Sequence, residues 1–245
     1  MFLYPSTALQ RFGSPRSCTS GFLLTFKFVE GGRGLELLHK TEIDDVPLAV
    51  LGFQGQLAAG IGKALRLYDI GKKQLLRKVE NKNFPPAIVT LNTQGFRILV
   101  GDMQESIHYA AYKPLENRLV IFADDTQARW ITATTMLDYD TVVAGDRFGN
   151  VFVNRLDPKV SEQIDDDPMG AGILHEKGDL MGTPHETRLL ARFHVGDLIT
   201  SLHKVSLVTG AREVILYTGL HGTIGALVPI VSKRTLTSSL PSNST

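Results

Sequence analysis

VVAGDRFGNVFVNRL, residues 142–156, is an apolar run that closes on glycine, a short polar turn, and a second run in which apolar residues alternate. That order is the signature of a β-hairpin. The same phrase occurs at Leu57–Ile70 (LAAGIGKALRLYDI), Ile98–Tyr112 (ILVGDMQESIHYAAY) and Ile215–Pro229 (ILYTGLHGTIGALVP). The glycines that close the first runs are Gly60, Gly101, Gly145 and Gly219, spaced 41, 44 and 74 residues apart. The first two intervals match the period of roughly 40–45 residues of one propeller blade, and the third is one such period plus roughly thirty residues of insertion. The glycines are expected to supply the positive φ that tight turns need.

Two further β-prone runs precede each hairpin. Val46–Phe53, Ala87–Leu91, Trp130–Leu137 and Leu198–Val205 lie nearer, and Leu35–Ile43, Gln74–Val79, Arg118–Ala123 and Arg188–Val195 lie farther upstream. They are rich in β-branched and aromatic residues and most are too short for a stable helix. Trp130–Leu137 reads as a helix by itself, and the repeat register assigns it to a strand. Both faces of Phe22–Val29 carry apolar residues, as they must where a blade packs between two neighbours; a sandwich strand would alternate more cleanly. The fold predicted is all-β, a partial β-propeller of about four four-stranded blades.

Gly21–Val29 stands as one orphan strand ahead of them, and the strands that should precede it are missing from residues 1–13, an irregular segment. The propeller is expected over 14–230 and a disordered polar tail over 231–245. The strand count predicts a segment of a larger propeller.

The insertion, 157–187, is strongly acidic and has no strand pattern, so it is expected to be a loop. Asp165, Asp166 and Asp167 are its candidate contacts with a basic partner. Lys72, Lys73, Arg77 and Lys78 form a basic run, interleaved with Leu75, Leu76 and Val79, that is a candidate for touching an acidic partner or phosphates. It has no aromatic residue for base stacking, and a solvated strand edge is the plainer reading.

Other motifs carry less. Asp165–Asp167 lacks the alternating ligands and the glycine of a calcium loop. His175, His185, His194 and His203 are too widely spaced for a zinc site. Gly60-Ile61-Gly62-Lys63 lacks the earlier glycine of a phosphate loop and is read as a hairpin turn. Asp124 and Asp125 are read as turn residues. Arg129–Trp130 is read as structural, the indole filling space between blades beside a stacked or bonded guanidinium. No catalytic residue, cofactor, metal or small-molecule substrate is expected. The net charge of +1 does not demand nucleic acid. One cysteine, Cys18, rules out an internal disulfide and fits a reducing compartment. No apolar run reaches the roughly 20 residues that span a bilayer, and the first ten residues lack the features of a signal peptide. A soluble, intracellular chain without a membrane partner is expected.

Longer motifs point to a family. FADDTQARW (122–130), LDYDT (137–141) and AGDRFGN (144–150) resemble the third subunits of splicing factor 3b. These belong to a wider group that includes the cleavage-and-polyadenylation A subunit and damaged-DNA-binding protein 1. LELLHKT (35–41), GKKQLLRK (71–78), Asp167-Pro168, FHVGD (193–197) and IGALV (224–228) extend the resemblance from about Ser14 to Pro229. Met1–Gly13 and the tail after Pro229 fall outside it. The resemblance implies a region near the C-terminal end of a three-propeller protein. It also implies a nuclear, non-catalytic scaffold in pre-mRNA splicing, bound to other splicing factor 3b subunits and spliceosomal proteins, with indirect or weak RNA contact. The relatives imply an alternative: an adaptor in DNA repair, ubiquitin-ligase assembly or mRNA 3'-end processing.

Overall fold

The computed structural model describes residues 2–8, 18–169, 183–210 and 212–229, and within them nineteen strands form five sheets. The first sheet holds β1 (Phe2–Ala8), β2 (Ser20–Val29) and β3 (Gly34–Ile43). The second holds β4 (Pro47–Phe53), β5 (Gln56–Ile61), β6 (Ala64–Ile70) and β7 (Leu75–Asn81). The third holds β8 (Ile88–Gln94), β9 (Arg97–Asp102), β10 (Ile107–Lys113) and β11 (Arg118–Asp124).

After β12 (Ile131–Met136), β13 (Thr141–Asp146) and β14 (Asn150–Arg155) come a helix, α1 (Pro158–Asp166), and a two-residue strand, β15 (His185–Glu186). β16 (Arg188–His194) then completes the fourth sheet, and β17 (Ile199–Ser206), β18 (Glu213–Gly219) and β19 (Ile224–Leu227) make the fifth. The opening strands pack in series, β4 on β8, β8 on β12 and β12 on β17, while β1 and β2 reach β4. This is a partial β-propeller, as the repeat predicts.

Two details differ from the expectation. The run Gln74–Val79 does not open the blade that follows; as β7 it pairs with β6, in the register Leu67 to Val79, and closes the blade before. A period specifies the length of a repeat but not where the sheet is cut, and the hydrogen bonds make that cut. The supposed orphan strand also has partners on both sides, since β2 pairs with β3 and with β1, which occupies residues expected to be irregular. The tail 231–245 lies outside the described residues.

Four apolar cores each lie between adjacent sheets, and strand periodicity explains how one strand feeds two of them. On β9, Ile98 and Val100 face Leu65 and Leu67 of the second sheet, while Leu99 between them faces Phe152 of the fourth. On β13, Val142 and Ala144 join that same core, and Val143 packs with Ile199 and Ile215 of the fifth sheet. This is why these strands are apolar at successive positions.

The repeated glycines act by close approach. Gly60, Gly101, Gly145 and Gly219 all lie inside strands, and none of the four has a positive φ. A Cβ on Gly60 would collide with Ile88, the first residue of β8. One on Gly145 would lie 2.5 Å from Cγ2 of Ile199, the first residue of β17. At Gly60 and Gly145 the repeat is therefore a packing motif between blades, whereas Gly219 is approached by the Asp197 carboxylate and Gly101 by Thr90 of its own sheet as well as Ile131 of the next. The left-handed turn positions belong to other glycines, such as Gly149 at φ 83°.

The acidic insertion is not wholly a loop. Asp157 caps α1, its carboxylate accepting from Lys159 N at 2.9 Å, and Pro158 occupies the first turn. Ser161 and Ile164 are buried, and Ile164 joins the core between the third and fourth sheets. On its return the chain forms β15, parallel to β11, before entering β16. The insertion thus leaves the fourth blade, docks at the third and comes back.

Candidate docking site

The basic run lies on the outer side of the second sheet. Lys72 and Lys73 occupy the turn between β6 and β7, Arg77 and Lys78 lie on β7, and all four are exposed. Lys78 is the residue skipped where the β6–β7 pairing shifts register, Tyr68 opposing Arg77 and Leu67 opposing Val79, and the Arg77 and Lys78 side chains turn to different partners. Arg77 reaches Glu80 at 3.4 Å, and the Lys78 ammonium lies 5.7 Å over the Tyr112 ring. Glu80 also receives Arg66 at 2.6 Å and Lys82 at 3.6 Å, which neutralises part of the strip. Asn117 and Asn81 bond β7 to the neighbouring blade through the carbonyls of Lys78 and Leu119.

The acidic candidates divide. Asp165 is held within the chain by Arg97 at 2.9 Å and by the Tyr139 hydroxyl at 3.1 Å. The carbonyl of Asp167 accepts from Lys113 Nζ at 2.6 Å, and that of Ile164 accepts from the same ammonium. Asp166 is exposed. Arg97 is 1% exposed, donates also to Asp140 at 3.1 Å and to the Ser161 carbonyl at 2.8 Å, and stacks 3.8 Å over Tyr139. Burial pulls the Lys113 ammonium below its ordinary value, against the pull of Asp167 and Asp165. Two buried cations on β9 and β10 thus hold the C-terminal half of α1, where unpaired carbonyls and the helix dipole favour positive charge.

Asp125 accepts from Ser106 at 2.7 Å and from Arg129 at 2.6 Å, a bonded pair inside the fold. Asp124 ends β11, where burial raises its carboxyl above the ordinary value against a hydrogen bond from Thr183. Gly60 and Ile61 end β5, and Gly62 and Lys63 form the turn into β6. His185, His194 and His203 lie on three different strands, and His175 is outside the described residues. Among the described residues no group of three or more His, Cys, Asp or Glu side chains converges to hold a metal ion, and no helix is long and apolar enough to cross a membrane.

The turns of the last two hairpins and the links between blades build a surface that sequence reasoning did not single out. Arg129 lies 4.3 Å over the Phe152 ring, but Trp130 does not fill the space between blades; its side chain is only partly buried. Its neighbours are Phe148, at 6.4 Å between ring centroids in an edge-on arrangement, and the Arg147 guanidinium, 4.9 Å over the indole and 5.8 Å from the Phe148 ring. Arg147 and Phe148 are the exposed tip of the β13–β14 turn. Asp146 fastens that turn by accepting from the backbone of Phe148 and Asn150, both at 2.8 Å. The next turn is fastened likewise by Asp197, which accepts from Thr223 at 2.8 Å and from the His221 backbone at 3.1 Å. Hydrogen bonds from His221 and Thr223 hold the Asp197 carboxyl at about 2. The only sequence signal for the surface was the pairing of a lone tryptophan with Arg-Phe in a turn seventeen residues later.

Comparison with known proteins gives a consistent answer. The model of the CPSF A subunit region matches residues 6–239. The chain is 62% identical over 220 residues to pre-mRNA-splicing factor RSE1 of Mycosarcoma maydis, an alignment covering 90% of this chain and 18% of that protein. It is 50% identical to the probable splicing factor 3B subunit 3 of Dictyostelium discoideum, with the same coverage. It is 49% identical over 223 residues to spliceosome-associated protein 130 A of Arabidopsis thaliana, covering 91% of this chain and 18% of that one. The chain therefore spans about a fifth of the length of these relatives.

Proposed function

The chain belongs to the family of the CPSF A subunit region, and from that premise we propose that it is a non-catalytic docking scaffold acting in pre-mRNA splicing. The single observation that carries this reading is the similarity, over nine-tenths of the chain, to proteins named as splicing factors. The partners proposed are other splicing factor 3b subunits and spliceosomal proteins, and the location proposed is the nucleus. Exposed Lys72, Lys73, Arg77 and Lys78 are proposed contacts for an acidic protein surface, and Asp166 a contact for a basic one. Asp165, committed to Arg97 and Tyr139, supports the packing of α1 instead.

Affinity purification of the tagged chain from nuclear extract tests the reading. Splicing factor 3b subunits are expected in the eluate. Replacing Lys72, Lys73, Arg77 and Lys78 together by glutamate is expected to reduce their recovery severalfold with no change in melting temperature, since all four side chains are exposed. Recovery of cullin or of the 3'-end-processing machinery without splicing subunits overturns the proposal.

A further inference from the structure

Trp130 has φ of 53°, the left-handed region that a bulky aromatic residue rarely enters. Such a conformation persists only where surrounding bonds over-determine it. Here the Glu105 carbonyl accepts from the backbone of Arg129 at 2.6 Å and of Trp130 at 3.1 Å, while the Trp130 carbonyl accepts from Arg147 N at 3.1 Å. The strained residue is thereby locked to the turn that carries Arg147 and Phe148. Its ring is partly exposed, and Phe148 beside it is 58% exposed. A single core does not require this arrangement, because the indole is not fully used in packing.

The polar chemistry of the patch is one-sided. Among the described residues the Arg147 guanidinium meets the Trp130 and Phe148 rings and forms no ion pair, and the Trp130 indole N–H donates to no protein acceptor. Both groups are donors only. Two rings and a stacked cation with free donors form the kind of anchor that dominates protein interfaces, where Trp and Arg are enriched. A nucleic acid strand would need a succession of cations along its backbone, and Arg147 is the single fixed charge in the stack.

We propose that Trp130, Arg147 and Phe148 form a docking platform for an acidic protein segment, one that sets an apolar or aromatic side chain against the rings and a carboxylate against the guanidinium. The inference rests on the docking reading above and names the chemistry of one partner surface.

Trp130 is the only tryptophan of the chain, so its emission reports on the platform directly. The 245-residue chain is titrated with the peptide Glu-Asp-Leu-Phe-Asp-Glu, with Lys-Lys-Leu-Phe-Lys-Lys, and with a decameric oligouridylate. A saturable emission change is expected with the acidic peptide alone. Arg147→Gln and Phe148→Ser should each weaken it by about tenfold, and Arg147→Lys less. Both side chains are exposed on a turn, so unchanged melting temperatures verify that the variants fold. No saturable response, equal binding of the lysine peptide, tighter binding of the oligouridylate, or indifference to both substitutions overturns the platform. Co-purification with splicing subunits despite a silent Trp130 would sink the platform and leave the scaffold reading standing.

Discussion

Gly145 carries the geometry of the propeller at the scale of one missing methyl group. It sits in β13 with Ile199 of the next blade against its Cα, where a Cβ would come within 2.5 Å of Cγ2 and 2.6 Å of Cβ of that isoleucine. Branched Ile199 is wholly buried and cannot swing aside. Gly145→Ala is therefore expected to destabilise the chain by about 1–3 kcal/mol, the ordinary cost of overpacking. Gly52 provides the control: it lies in β4 with open space around its Cα. Gly52→Ala should change stability by less than about 0.5 kcal/mol. Urea denaturation of both variants checks the pair, and equal midpoints would refute the close-approach account. The recurrence of glycine was plain in the sequence, whereas its reason was not. Spacing cannot distinguish a residue chosen for its φ from one chosen for its lack of a side chain.

Helix α1 shows how an element can be fixed by residues far from it in sequence. Its own signals are slight: a capping Asp157, Pro158, and Val160 with Ile164 one turn apart on one side. Isolated, nine residues are too few for a stable helix in water. Arg97, more than sixty positions earlier, and Lys113 supply the missing stabilisation by binding its carbonyls and Asp165. Arg97→Met is expected to cost about 3 kcal/mol, the lower end for a broken buried pair, because the abandoned Asp165 is 46% exposed and regains water. Tryptic cleavage after Lys159 should accelerate in that variant and stay unchanged in Arg77→Met. An unaltered cleavage rate would mean that the helix does not depend on its anchor. The net consequence is a clasp between the third and fourth blades, completed where β15 pairs with β11.

At the scale of the molecule, apolar side chains among the described residues fill the spaces between sheets, and each of the two flanking sheets also carries exposed ones. Phe28, Leu35 and Leu37 are each at least half exposed on the first sheet, and Leu220, Ile224 and Val228 are so on or beside the last. Apolar sheet faces and open edges favour association. The purified 245-residue chain is expected to sediment as concentration-dependent oligomers. The double variant Leu35→Lys with Ile224→Lys should shift it toward monomer. Sedimentation of the parent chain as a monomer at every concentration would contradict this.

What the sequence determined by itself was the repeat: hairpins at a blade-length period, strands apolar on both faces, and motifs distinctive enough to point to a family. These are legible because period-two alternation and blade length are local properties of the chain. Tertiary structure alone decided where one sheet ends and the next begins, since β7 had to choose between β6 and the strand after it. It also decided that Gly60 and Gly145 make room for isoleucines, that Arg97 and Asp165 meet, and that Trp130 stacks with Arg147 at the surface. Each of these depends on contacts between residues distant in the chain, and the packing of neighbouring blades is what brings them together.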